Sequence, residues 1–138
     1  MGMRELSRVR EIALLLPEVN ERRSHGALCF FILEKRPLCY YHDDHRGDGR
    51  ISLWCPAYPD LIENRVFNHP ERFFKPQTSS SGTFGGWLGA FLDTTGRNAV
   101  DWQDIATIVE DAYCKVAPKR LVAQLEMKQR QSGGLESP

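Results

Sequence analysis

A chain of 138 residues with 41% apolar and 26% charged side chains has the length and composition of one globular domain able to bury its own core. Its 18 basic and 18 acidic residues cancel, which excludes a binder that coats nucleic acid with its whole surface, because such a protein draws its affinity from net positive charge. Four cysteines without a CxxC pair argue against a disulfide framework or zinc finger, and the absence of a signal peptide or a run of about 18 apolar residues sets the expectation of a reduced, soluble, cytoplasmic protein without membrane contact.

Leu6, Val9, Ile12, Ala13 and Leu16 recur close to helical spacing, and Pro17 ends the run, so 4–16 is predicted to be a helix. The polar segment 18–26, "EVNERRSHG", reads as a connection. "ALCFFIL" (27–33) and "LCYYH" (38–42) are rich in aromatic and branched residues and are predicted to form a hairpin. A third strand, "ISLWC" (51–55), puts Ile51, Leu53 and Cys55 on one face and Ser52 and Trp54 on the other, where Trp54 is expected to be exposed.

Pro56 and Pro59 open a second helix over about 59–69, which stops before Pro70. Phe73 and Phe74 are expected to plug into the core, with a short strand near 75–79 and a polar loop at "QTSSSG". "WLGAFL" (87–92) is a strand and "TTGRN" a turn. Asp101 caps a helix whose Trp102, Ile105, Ile108, Val109, Ala112, Tyr113 and Val116 share one broad apolar face, and Asp104 suits its positive end. Pro118 starts a short last helix, and 126–138 reads as a disordered tail after a single domain over 1–125. The order predicts an α+β fold, a two-layer arrangement in which helices pack on an antiparallel sheet of about five strands.

"YYHDDHRGDGR" (40–50) holds the residue types of a metal site. Its Asp and Gly residues are also those of a hairpin tip, and no third His or Cys follows at ligand spacing, so a turn without a metal is expected. No nucleophile elbow, phosphate loop or HExxH motif is present. "GTFGG" (82–86) precedes a strand rather than opening a helix, His25 near Cys29 reads as a structural histidine, and Cys55 as a buried one. A non-enzymatic domain without a cofactor is the expectation.

Lys119 and Arg120 stand in the first turn of the last helix, where positive charge opposes the dipole by about 0.3–1 kcal/mol each. Two readings account for them: attraction to the free carbonyls of the helix ending near 117, or a phosphate bound where the last helix begins. Residues 115–130 carry five bases to one acid, whereas the hairpin tip at 42–50 carries three acids to two bases.

"VREIALLLPEVNE", "HGALCFFI", "ISLWCP", "HPERFF", "GWLGAFLD" and "DWQDIATIVEDAYCKVAPKRL", in that order over about 8–122, resemble the MmcQ/YjbR family. The specific blocks are His69-Pro70-Glu71-Arg72-Phe73-Phe74, Gly86-Trp87 and Ala117-Pro118-Lys119-Arg120-Leu121. The resemblance implies helix, three strands, helix, two strands, helix on an antiparallel sheet, a fold called CyaY-like or "double wing", whose members are described as DNA-binding by structural analogy. Leu28, Arg36-Pro37 and Trp54 depart from the family pattern. The expected function is a nucleic-acid (DNA) or other anion-binding module that contacts its ligand through Lys119, Arg120, Lys115, Lys75, Arg46, Arg50 and Trp87. The alternative is a protein-interaction or small-ligand domain that uses Trp54 and the loop 75–86.

Overall fold

The computed structural model describes residues 3–24, 26–78, 82–83 and 86–136. Four helices, α1 (Met3–Ala13), α2 (Pro59–Asn68), α3 (Trp102–Val116) and α4 (Lys119–Glu136), pack on a sheet built from β1 (Val19–Ser24), β2 (Ala27–Ile32), β3 (Arg36–Asp43), β4 (Ile51–Pro56), β5 (Phe73–Phe74) and β8 (Trp87–Phe91). The sheet is six-stranded and antiparallel throughout, in the order β1-β2-β3-β4-β8-β5. Between β5 and β8, β6 (Gln77–Thr78) and β7 (Gly82–Thr83) form a separate two-stranded ladder. The expected α+β architecture is present.

All the buried helical residues gather on one side of the sheet. Val9 and Ala13 of α1, Ile62 of α2, Ile105, Ile108, Val109, Ala112 and Tyr113 of α3, and Leu121 and Leu125 of α4 join a cluster with Phe30, Cys39, Tyr41, Leu53, Cys55, Leu88 and Ala90 of the strands. Asp101 caps α3 by accepting from the Gln103 and Asp104 amides at 3.1 and 3.2 Å, as its position predicts. The Asp104 carboxylate does more than favour the helix dipole, since it accepts from Arg65 at 2.8 Å and ties α2 to α3. Tyr113, wholly buried, donates its hydroxyl to the Pro17 carbonyl at 2.7 Å, which fixes the end of the α1 segment over α3.

The sequence expectations fail in places that have physical causes. Residues 19–24 are an edge strand, not a connection, because β2 needs a partner for its free hydrogen-bonding groups and polar residues suit an edge. Arg22 lays its guanidinium on the Phe31 ring at 3.9 Å, and Arg10 grips Glu21 with two nitrogens at 2.8–3.2 Å. Helix α1 ends at Ala13 rather than at 16, leaving Leu14 and Leu15 exposed. Helix α4 spans Lys119–Glu136, longer than the short last helix expected after Pro118. The partner of β8 is 73–74 rather than a strand near 75–79. Of the two phenylalanines Phe73 is the buried one, while Phe74 and Trp102 are half-buried.

Gly89 stands in β8 opposite Trp54 on one side and Phe74 on the other, and a Cβ there would run into the Phe74 ring. Gly89→Ala is therefore expected to cost about 1–3 kcal/mol. Urea unfolding should show a lower midpoint at unchanged slope, and the cost should shrink when Phe74 is also replaced by Leu.

Candidate functional site

The strand face turned away from the helices carries a continuous set of rings. Alternation along β3, β4 and β8 places Tyr40, His42, Trp54, Trp87 and Phe91 here, and β5 adds Phe74. Neighbouring ring centroids are 5.6 Å apart for Tyr40 and Trp87, 6.2 Å for Tyr40 and His42, 4.2 Å for His42 and Trp54, 6.4 Å for Trp54 and Phe74, and 4.6 Å for Phe74 and Phe91. Trp54, expected to be exposed, is only 8% accessible, since the rings around it take the place of a covering helix.

The stretch after β3 is a hairpin tip with an unusual course. Asp44 and Arg46 both take left-handed backbone, φ 64° and 54°, around a short 3₁₀ turn at His45–Gly47. The aspartates serve the turn itself: Asp44 accepts from the Gly49 amide at 2.6 Å and Asp48 from the Arg50 amide at 2.8 Å. The curl swings the His45 ring back onto the sheet, 4.4 Å from His42 and 5.0 Å from Trp54. The sequence alone gives no reason to expect the two histidines to meet. Among the described residues no three His, Cys, Asp or Glu side chains converge as a metal site.

His42 is 8% accessible, and its Nε2 has no hydrogen-bond partner among the described residues. Burial, reinforced by the facing His45, pulls its pKa down to about 4 against a small opposing pull from Asp48, so it is neutral at neutral pH. Beside it a cavity of about 350 Å³ opens between Tyr40, His45, Arg46, Trp54 and Ser24. A second of about 330 Å³ shares Ala27, His42, His45 and Arg46 with the first and extends to Arg23, Asp43 and Asp44.

The residues expected to contact a ligand fall into four groups. Arg46 stands exposed at the mouth of the histidine cavity. At the other end of the ring strip, Lys115 and Trp87 line a groove of about 530 Å³ with Lys35 and Arg36, two bases that the sequence reading did not place there. Arg36 donates to the Val116 carbonyl at 2.6 Å, so it is Arg36, not Lys119 or Arg120, that meets the carbonyl end of α3. Lys119 and Arg120 are exposed in the first turn of α4 and have no hydrogen bond or ion pair with described residues.

The last two candidates serve the fold. Arg50 stacks on Phe91 at 3.7 Å and holds Asp93 with contacts of 2.9–3.2 Å. Burial would raise the Asp93 carboxyl, but the hydrogen bonds from Arg50 and the Ile51 amide outweigh it and hold the group below its ordinary value. Lys75 pairs with Glu63 at 2.6 Å.

Among the described residues, none of the four cysteines is an activated nucleophile. Burial pushes the Cys29 thiol up to about 12, so it stays protonated at neutral pH, and Cys39 and Cys55 are buried in the core. Cys114 is exposed on α3 with a thiol also raised by partial burial. His25 and part of the 75–86 loop lie outside the described residues.

No protein-family model matches the chain and no curated protein matches its sequence. Among solved structures the fold is similar to that of the Deinococcus radiodurans protein DR2400, which carries a DUF419 domain, with a TM-score of 0.63 at 18% identity over 83% of this chain and 79% of that one. At that identity the likeness establishes the shared fold.

The neutral, buried His42 predicts an acid limb of stability. An unfolded histidine with a pKa near 6.5 takes up its proton before the folded one does at about 4, so stability is full above pH 6.5 and falls as pH drops towards 4. The loss from this group should reach up to about 3 kcal/mol. His42→Phe should flatten the decline, measured as urea midpoints at pH 7 and pH 4.5.

Proposed function

We propose that this chain is a non-enzymatic nucleic-acid-binding module of the MmcQ/YjbR type that takes a single strand across its ring-bearing sheet face. The observation that carries this reading is the pairing of rings and charges: a strip of rings from Trp87 to Phe91 in which Tyr40, Phe74, Trp87 and Phe91 are half-exposed around the buried Trp54, with Lys35 and Lys115 at one end and Arg46 beside its centre. Bases stack on such rings whatever their sequence, while lysines and arginines at the margins hold the phosphates. A duplex offers no unstacked base to these rings, which is why the single strand is preferred.

Zero net charge fits this arrangement, because the affinity would come from a local set of cations and from stacking. The resemblance of the sequence to MmcQ/YjbR blocks supports the assignment of type, and the fold shared with a DUF419 domain agrees with it at the level of α+β architecture. Lys119 and Arg120, which have no hydrogen bond or ion pair with described residues, extend the positive end of the face beyond Lys115. Among the described residues no helix is long and apolar enough to cross a membrane.

Anisotropy titration of a labelled twelve-nucleotide single strand at several salt concentrations tests the reading. Binding should weaken with salt, and Lys35→Ala with Lys115→Ala should flatten the logarithmic slope by about 1.4, from roughly 0.7 per lost phosphate contact. Trp87→Ala should weaken binding by roughly tenfold or more, in line with about 1–3 kcal/mol per stacked base. The parent chain showing no binding at low salt would remove the proposal.

A further inference from the structure

We infer that the paired cavities around His45 and Arg46 form a pocket for one nucleotide: a planar nitrogen heterocycle that carries a phosphate, free or as the unpaired residue of a strand. The second of these sources rests on the reading proposed above; the pocket itself does not.

The two cavities, about 350 and 330 Å³, meet along His42, His45 and Arg46. Their combined space falls within the roughly 300–1,000 Å³ of small-ligand sites. Each half has a distinct chemistry. The larger is walled by Tyr40, His45 and Trp54 and contains no carboxylate, so it suits a flat, uncharged ring and gives no counter-charge to a cation. The smaller brings Arg23 and Arg46 together with Asp43 and Asp44. Guanidinium groups suit a phosphate and carboxylates suit sugar hydroxyls, so this half matches the sugar and phosphate.

Arg46 belongs to both halves. It sits on left-handed backbone at φ 54°, a conformation that a non-glycine residue holds only where its surroundings impose it, and here that places the guanidinium where base and phosphate would join. His42 adds the second sign of an absent partner: a buried ring nitrogen with no hydrogen bond among the described residues. Its neighbour His45 rests on it at 4.4 Å and belongs to an exposed turn, so a rotation of His45 is enough to bring that nitrogen to the edge of a base. The base then stacks on Trp54 and His45, and its phosphate meets Arg46 and Arg23.

The test is calorimetric titration of the whole chain with adenosine monophosphate, adenosine and inorganic phosphate, alongside the labelled single strand. Saturable binding of the monophosphate is expected, at least tenfold tighter than adenosine and tighter still than inorganic phosphate. Arg46→Gln should remove the advantage of the monophosphate over adenosine, and His45→Ala should weaken both ligands alike. Circular dichroism melts confirm that each variant is folded, and Arg130→Ala, on the exposed side of α4, serves as a folded variant outside both the pocket and the ring face. Competition separates the sources: displacement of the single strand by the monophosphate identifies the ligand as a residue of a strand, and binding without displacement identifies a free nucleotide. No binding of the monophosphate at millimolar concentration, equal binding of inorganic phosphate, or binding unaffected by both pocket variants overturns the inference. A chain that binds the strand but not the monophosphate overturns the pocket and leaves the strand-binding face standing, whereas the opposite result overturns the strand reading alone.

Discussion

The indole of Trp54 is buried although every buried helical residue lies on the other side of the sheet. A large apolar side chain on a strand face without a helix layer has to find its cover within the sheet and its turns. It does so by gathering His42 from β3, His45 from the following turn and Phe74 from β5. Phe74 reaches it only because Gly89, the residue between them across the ladder, has no side chain; the ring lies over the glycine as aromatic residues commonly do in sheets. β4 is thereby buried on both faces from Ser52 to Pro56, which suits a central strand and holds the two halves of the sheet in one register. The same rings that cover Trp54 form the wall of the candidate pocket.

The distribution of positive charge follows from how that second face is sealed. Arg22 caps Phe31 and Arg50 caps Phe91, each through a flat guanidinium laid on a ring, and Arg50 is further held by Asp93. These arginines lie at the margins of the sheet, where side chains would otherwise be wet on one side, and their charge is committed. Arg65, Arg10 and Lys75 are committed to carboxylates. Near the rings and cavities, the cations without a carboxylate partner among the described residues include Arg46 and Arg23 by the histidines, Lys35 and Lys115 near Trp87, where Lys115 also lies 5.0 Å from the Tyr58 ring, and Lys119 and Arg120 beyond them. A formal charge of zero therefore conceals an uneven surface. Counting charges along the sequence cannot separate committed from available cations, because each pair joins residues far apart in the chain, 43 positions for Arg50 and Asp93 and 39 for Arg65 and Asp104.

This also marks what the sequence made legible. Apolar periodicity located α1 and α3, the prolines at 56, 59 and 70 bracketed α2, and the alternation in "ISLWC" located β4 with its faces correctly divided, because those signals are local and strong. The cap at Asp101 and the stop before Pro70 were legible for the same reason. β1 was not, since "VNERRS" is polar and becomes a strand only through the edge of β2 beside it. Of the candidate contacts, Lys115, Trp87 and Arg46 lie against cavities, whereas Arg50 and Lys75 turned out to be partners of carboxylates. The meeting of His42 and His45 was illegible because it depends on two non-glycine residues, Asp44 and Arg46, taking a left-handed backbone that their identities do not announce.

The open face owes two of its rings, Tyr40 and His42, to a single irregularity. Phe30 pairs with Cys39 but Phe31 pairs with Pro37, so β3 carries an extra residue, Leu38, in a bulge. Proline has no amide to give to the ladder, which makes its neighbourhood a natural place for pairing to slip. Across the bulge, Leu38 and Cys39 both enter the core although they are adjacent in the chain, which a regular strand forbids. The phase of β3 is thereby reset: Tyr41 follows Cys39 inward, and Tyr40 and His42 point outward to meet Trp54 and Trp87. With an unbroken alternation from Leu38 onward, Tyr40 and His42 would share its inward phase and Cys39 and Tyr41 would face out. The core would then have to bury an imidazole, and Trp54 would lose the rings that cover it. One proline-associated bulge, more than any catalytic-looking residue at the hairpin tip, decides that β3 adds Tyr40 and His42 to the rings that β4, β8 and β5 supply.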